Sequence, residues 1–380
     1  MTTAADADLK LPRRHLAFHP LRVTAINRLT TDAVEIVFAV PAELAAEYDY
    51  RPGQHVAVRH RHDGAEIRRS YSLCAPPGNG ELHIAVKAEP SGIYSTYANS
   101  RLQVGDTIEV MTPQGSFTSK LATDSRAHIA AVAAGSGITP VMALASGVLS
   151  ASPASSFTLI YASRTADQVM FADALSDLKD RYPSRIAVHH VLSREQRVSP
   201  AHSGRLHPEK LETLFDRIVL PQTVDEWFLC GPVELVQTVR AELISRGSEP
   251  GLIHVELFSS GPEQLRRPRI APSDPLRDGD SRGDAGPQVI ITLTLDGRTS
   301  TVTTPKDSGE RILDAALRSR SDVPFACAGG VCGTCRARLT EGTVEMAMNY
   351  ALEPEELAAG YILTCQSEPT SETVTVDYDG

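Results

Sequence analysis

Short runs of alternating apolar and polar residues fill the first third of the chain: Ala33–Val40 (AVEIVFAV), His55–Arg59 (HVAVR), Glu81–Lys87 (ELHIAVK) and Thr107–Met111 (TIEVM). Pro52-Gly53, Pro76-Pro77-Gly78, Gly105-Asp106 and Pro113 punctuate them. Many short strands at such spacing predict a small antiparallel β-barrel, placed over residues 15–121. From His128 the rhythm changes. Strand patterns at His128–Ala134, Phe157–Ala162, Ile186–Leu192 and Glu226–Cys230 alternate with helical patterns at Val141–Leu149, Phe171–Arg181, Pro208–Phe215 and Val233–Arg246. That alternation predicts an α/β doubly wound parallel sheet over 122–258, closing on His254–Phe258.

Residues 259–286 are rich in Pro, Gly, Ser, Asp and Arg with no apolar period, which predicts a flexible linker. A third unit, 287–380, opens with Val289–Leu295, an Asp296-Gly297 hairpin turn, a strand at Ser300–Thr304 and an amphipathic helix at Glu310–Arg318. The expectation is therefore a multidomain chain with three folded units and no internal repeats.

Composition narrows the class. With 42% apolar and 22% charged residues, the 380-residue chain can bury several cores. The formal charge of −10 argues against a non-specific nucleic-acid binder. Most of the excess lies after residue 286, where 14 Asp/Glu face 7 Lys/Arg. Ile129–Leu149 is uncharged, but Gly135, Gly137, Pro140 and Gly147 interrupt it, so a strand–loop–helix is expected rather than a membrane span. Met1–Lys10 has no apolar signal region, and the cytoplasm is the expected compartment.

Cys327, Cys332, Cys335 and Cys365 carry the sharpest chemical signal. The spacing C-x4-C-x2-C followed by a distant fourth cysteine is that of a plant-type [2Fe–2S] cluster. Gly329, Gly330 and Gly333 let the loop turn and aim N–H groups at sulfur. A four-cysteine zinc site is the alternative, but zinc ribbons offer two C-x2-C knuckles and this segment has one. Upstream, Gly135-Ser136-Gly137-Ile138-Thr139-Pro140 follows a buried strand and opens a helix, where a pyrophosphate meets free N–H groups and a favourable dipole. It lacks the third glycine of the common dinucleotide fingerprint. Ser163-Arg164 and Ser193-Arg194 follow successive strands, and two arginines beside hydroxyls suit a 2′-phosphate dianion. Solvated loop arginines are the plainer alternative.

Arg69-Ser70-Tyr71-Ser72, placed after a barrel strand and just before a turn, resembles the R-x-Y-S flavin motif of the ferredoxin–NADP reductase superfamily. The resemblance implies that Tyr71 lies against the isoalloxazine, Ser72 near its reactive nitrogen, and Arg69 on the pyrophosphate. Lys87 and Gly92-Ile93-Tyr94-Ser95-Thr96 match the second phosphate segment. The glycine loop and Cys230-Gly231-Pro232 match the two nicotinamide segments, with Cys230 beside the ring, although an isolated Cys-Gly-Pro reads as packing. Ser193-Arg194-Glu195-Gln196 is similar to the segment that grips the 2′-phosphate, which favours NADPH over NADH. Glu256 and Phe258 fall where the superfamily brings a carboxylate and an aromatic to the flavin. FAD is favoured over FMN, and a β-grasp ferredoxin fold is implied for the third unit.

The domain order and the tail from Asn349 to Tyr361 resemble the reductase subunits of bacterial phenylacetyl-CoA epoxidase complexes. That implies hydride transfer from NADPH to FAD, one-electron passage through the cluster, and di-iron oxygenase subunits as partners. A reductase of another oxygenase is the near alternative; a non-catalytic electron carrier or redox sensor is the distant one.

Overall fold

The computed structural model describes residues 16–62, 64–121, 126–258, 287–306, 308–320, 322–352 and 354–380. The expected linker at 259–286 and the N-terminal segment lie outside the described residues. The first unit contains β1 (Phe18–Thr30), β2 (Ala33–Ala39), β3 (His55–His62), β4 (Ala65–Ser72), β5 (Glu81–Lys87), α1 (Ile93–Ser100) and β6 (Thr107–Met111). Its strands pair antiparallel in the order β4-β3-β6-β1-β2-β5, and the bridge between Leu73 and Ile84 brings the two edges together. The alternating residues turn inward, so Val23, Ile36, Phe38, Val56, Val58, Ile84 and Val110 form the barrel core.

The second unit contains β7 (His128–Ala134), α2 (Ile138–Ala151), β8 (Ser156–Ser163), α3 (Ala172–Arg181), β9 (Ile186–Leu192), α4 (Pro208–Arg217), β10 (Glu226–Gly231), α5 (Val233–Ser245) and β11 (Ile253–Leu257). All neighbours in the order β11-β10-β7-β8-β9 are parallel. The chain leaves β7 toward β8 and β9, then returns to lay β10 on β7's other side. The topological switch therefore falls between β7 and β10, where open sheets of this class bind ligands. Ala33, Cys74, Ala85 and Phe117 of the barrel join one of this sheet's cores, which fixes barrel to sheet.

The third unit contains β12 (Gln288–Leu295), β13 (Arg298–Pro305), α6 (Ile312–Ser319), β14 (Arg336–Glu341), β15 (Val344–Met346), α7 (Pro354–Ala358), β16 (Tyr361–Leu363), β17 (Ser367–Pro369) and β18 (Thr373–Asp377). The order β13-β12-β18-β14-β16, with β12 and β18 parallel, is a β-grasp sheet. Asp296 (φ 55°) and Gly297 (φ 67°) make the expected tight hairpin turn. Ile312, Leu313, Ala315 and Ala316 of α6 are buried with Ile291, Leu293, Val374 and Val376 of the sheet.

The sequence pattern and the fold part at two places. The flavin-type motif lies on β4 itself, with Ser72 its last residue. The segment expected to meet phosphate as a loop is the first turn of α1, a helix too short to show an apolar period. Among the described residues no helix is long and apolar enough to cross a membrane.

Candidate functional site

Strand alternation on β3 and β4 sorts the motif into two faces. Tyr71 turns toward the barrel core, with its ring centroid 5.7 Å from that of Tyr94. On the other face, β3 and β4 pair His55 with Ser72, Ala57 with Ser70, and Arg59 with Arg68. That outer row runs from the second unit to the third. Arg69 is exposed, and Ser70 Oγ is buried with no hydrogen-bond partner.

At the end of the row the barrel meets β10 and β11. Ser72 Oγ donates to Glu256 Oε2 at 2.8 Å, Cys230 Sγ lies 4.0 Å from that same oxygen, and His55 Nδ1 lies 3.9 Å from Glu256 Oε1. Burial pushes the Glu256 carboxyl up to about 8, so it is protonated at neutral pH. Burial likewise raises the Cys230 thiol, helped by Glu256, and lowers His55, which is therefore a neutral imidazole. Phe258 sits just beyond β11, partly exposed.

The glycine loop closes on the same point. A short turn at Gly135–Gly137 links β7 to α2, with no side chain capping the helix. A Cβ on Gly137 would stand 2.3 Å from the carbonyl oxygen of Cys230, so only glycine lets the two loops touch. Gly231 has φ +154° and packs on Ala134. Thr139 Oγ1 donates to Ser136 O at 3.0 Å, Tyr161 Oη donates to Gly135 O at 3.0 Å, and Pro140 occupies the first turn of α2. Ile138 is buried beneath them, and Pro232 caps α5. Two helix N-termini thus open on the switch-point crevice, a geometry that fits a dinucleotide.

Ser163 and Ser193 come side by side at the ends of β8 and β9. Ser193 N–H donates to Ser163 O at 2.9 Å and Arg194 N–H to Arg164 O at 2.8 Å. Both arginines are exposed, and Ser163 Oγ is buried without a partner. In the other phosphate segment, Gly92 precedes α1 with no side-chain cap. Ser95 Oγ instead accepts from Glu89 N–H and donates to Gly92 O, which leaves the first-turn amides of Ile93 and Tyr94 as the anion-facing groups. Tyr94 lies in the barrel core, and the Lys87 ammonium stands 3.5 Å from Asp32.

The cysteine loop turns through Ala328 (φ 53°), Gly330 (φ 76°) and Gly333 (φ 68°). Gly329 N–H donates to Cys327 Sγ at 3.3 Å, and Gln366 Nε2 donates to Cys365 Sγ at 3.6 Å. The thiols neighbour one another in two pairs, Cys327 with Cys332 and Cys335 with Cys365. Among the described residues no His/Cys/Asp/Glu group is gathered tightly enough for a single ion. Two separated thiol pairs suit a two-iron cluster, with a pair for each iron, better than one zinc.

The loop lies against the flavin side of the molecule. Cys332 is within electrostatic reach of both His55 and Glu256, and with Ala326 it packs on Ala57, Met111 and Phe18. Three motifs far apart in sequence therefore converge. Two participants had no motif to announce them. Arg68 reaches the third unit, and Glu226, at the start of β10, binds Ser119 Oγ, Lys120 N–H and His254 Nε2. The signal for Glu226 was a carboxylate opening an otherwise apolar strand.

This assembly is a flavin- and nicotinamide-dependent electron-transfer oxidoreductase with an attached iron–sulfur domain. The chain matches the oxidoreductase FAD-binding domain over 20–119, the oxidoreductase NAD-binding domain over 131–241 and the 2Fe-2S iron-sulfur cluster binding domain over 293–370. It is 41% identical over 362 residues to the reductase component of 1,2-phenylacetyl-CoA epoxidase from Escherichia coli, spanning 95% of this chain and 98% of that one. It is 35% identical to the ferredoxin reductase component of 3-ketosteroid-9-alpha-monooxygenase from Mycolicibacterium smegmatis, spanning 94% and 96%. Its fold is that of phthalate dioxygenase reductase, with a TM-score of 0.56 at 22% identity over 95% of this chain and 98% of that one. The chain belongs to the ferredoxin–NADP reductase-like family with a C-terminal [2Fe-2S] domain, the family of the phenylacetyl-CoA epoxidase reductases.

Proposed function

We propose that this chain takes hydride from NADPH at FAD and delivers single electrons through its cluster to the di-iron oxygenase subunits of a phenylacetyl-CoA epoxidase, in the cytoplasm. The observation that carries the electron route is the meeting of Ser72, Cys230, Glu256 and Cys332 at one point. The identity to the Escherichia coli reductase supports the partner. Units at 15–121, 122–258 and 287–380 agree with the grouping of strands into sheets.

A bound flavin accepts two electrons as hydride and releases them singly. The chain's residues supply position and protons. Arg69, Ser70, Lys87 and the amides of Gly92–Ser95 hold the flavin phosphates. Tyr71 backs the ring, while Phe258 and Cys230 border the nicotinamide. The loop Gly135–Pro140 takes the nicotinamide pyrophosphate, and Gly231-Pro232 lets the ring approach. Protonated Glu256 holds a proton beside Ser72. Cys327, Cys332, Cys335 and Cys365 ligate the cluster. Of the acidic tail residues, Glu356 is paired with Arg336, while Glu355 is exposed and free to face a partner.

Anaerobic NADPH should bleach the flavin and then the cluster, and adding the oxygenase subunits with phenylacetyl-CoA should yield epoxide. Bleaching without any turnover by that oxygenase would move the assignment to another oxygenase, as the ketosteroid relative suggests; no bleaching at all would leave an electron carrier. Coenzyme choice is tested by Arg164→Ala with Arg194→Ala. A charge-assisted contact is worth about 1.5–3 kcal/mol, so NADPH affinity should fall about tenfold or more while NADH changes little. Equal losses for both would return these arginines to solvent-facing roles.

A further inference from the structure

Arg68 stands on the outer face of β4, beside the flavin motif but facing away from the barrel core. Such a position is normally solvated, yet Arg68 is only 4% exposed. Its Nε donates to Glu66 Oε1 at 2.7 Å within the barrel, and its Nη1 donates to Val323 O at 3.0 Å, 255 residues away in the third unit. The guanidinium plane lies 4.4 Å from the Phe325 ring centroid and 5.2 Å from that of Phe18. One arginine is thus held between an aromatic of each unit. Val323 and Phe325 lead directly into Cys327.

A second contact holds the other end of the cysteine loop. Gln114 Nε2 donates to Thr334 Oγ1 at 2.8 Å, and Thr334 stands between Cys332 and Cys335. Gln114 is itself fixed by reciprocal backbone bonds with His55 at 2.8 and 2.9 Å. Ala326 and Cys332 lie on Ala57 and Met111 between these two points. Small apolar contacts alone specify register weakly. A buried guanidinium is costly unless its planar donors and its faces are matched, so it favours one seating over its neighbours.

We propose that Arg68 and Gln114 are positioning residues, a two-point clamp that seats the cysteine loop against the flavin pocket for internal electron transfer. The inference rests on the functional reading above. On β4, adjacent residues then serve different cofactors: Arg69 faces the flavin phosphates and Arg68 holds the cluster loop.

The test uses the full-length holoprotein with Arg68→Gln, Arg68→Lys and Gln114→Ala. In stopped flow, flavin bleaching by NADPH should keep its rate, while cluster reduction slows about tenfold or more in Arg68→Gln and severalfold in Gln114→Ala. Arg68→Lys, which keeps the charge without the planar fork, should recover only part. Small-angle scattering should give a larger radius for Arg68→Gln, and the amides of 323–326 should exchange faster. Unchanged cluster reduction with unchanged exchange would overturn the clamp. If Arg68→Gln fails to fold, Gln114→Ala decides by the same readouts. A wild-type protein that NADPH does not bleach would sink the functional reading, while scattering and exchange would still judge the clamp.

Discussion

Two glutamates on neighbouring strands of one sheet, Glu226 on β10 and Glu256 on β11, face the barrel from the same side. Between them Phe228 stacks on His254 at 4.6 Å and meets Phe117 edge-on at 5.1 Å. Glu226 is wholly buried and has three donors: Ser119 Oγ, Lys120 N–H at 2.9 Å and His254 Nε2 at 3.2 Å. Burial alone would raise its pKa, but those donors outweigh it and the carboxylate is held below its ordinary range. Glu256 has one hydroxyl donor, and its burial prevails. Two carboxyls shielded from water therefore become a structural anion at one end and a neutral acid at the other. The number of donors decides which, and the under-supplied group lies where the cofactor motifs converge.

Removing each carboxyl should separate the two roles. Glu226→Ala strands three donors beside the barrel–sheet junction and should cost about 3–5 kcal/mol in urea unfolding, with Glu226→Gln less damaging because it keeps one acceptor. The pH sign follows from its lowered pKa: the stabilisation is present above the unfolded value and is lost as pH falls through the folded one. A wild-type acid limb that survives in Glu226→Gln would break the comparison.

Glu256→Gln copies the protonated acid, so its stability cost near pH 7 should be under about 1 kcal/mol. Its pH signature runs the opposite way. The raised pKa gives a stabilisation that is full below the unfolded value and is lost as pH rises toward about 8, and the glutamine should abolish that decline. The same substitution should flatten any change in NADPH bleaching between pH 7 and 9. An alkaline limb that persists would assign it to another group.

Much of this was legible from local patterns. The strand limits of β5, β6, β7 and β9 follow from apolar period, and the four cysteines and the glycine loop from spacing that one short segment must satisfy. What stayed hidden depends on contacts across the chain. Arg68 gains meaning only from Val323 and Phe325, and Glu226 only from a pair of residues more than a hundred positions upstream. Tyr94 falls inside a phosphate-type motif yet is buried in the barrel core, where its aromatic bulk packs on Tyr71 and His60.

The seat of the cysteine loop also sets a schedule for biosynthesis. Every residue of the barrel and of the nicotinamide sheet precedes residue 259, so both can fold on the emerging chain before Cys327 leaves the ribosome. The socket around Arg68, Ala57 and Gln114 then waits finished for a domain still being made. The fourth ligand, Cys365, arrives only fifteen residues before the chain ends. Once the loop is seated, Cys335 and Cys365 are buried and Cys327 and Cys332 are half-covered. Iron and sulfide must therefore be delivered in the interval between completion of the C-terminal domain and its closure onto the barrel, which makes that closure a checkpoint in the maturation of the protein as well as a step in its use.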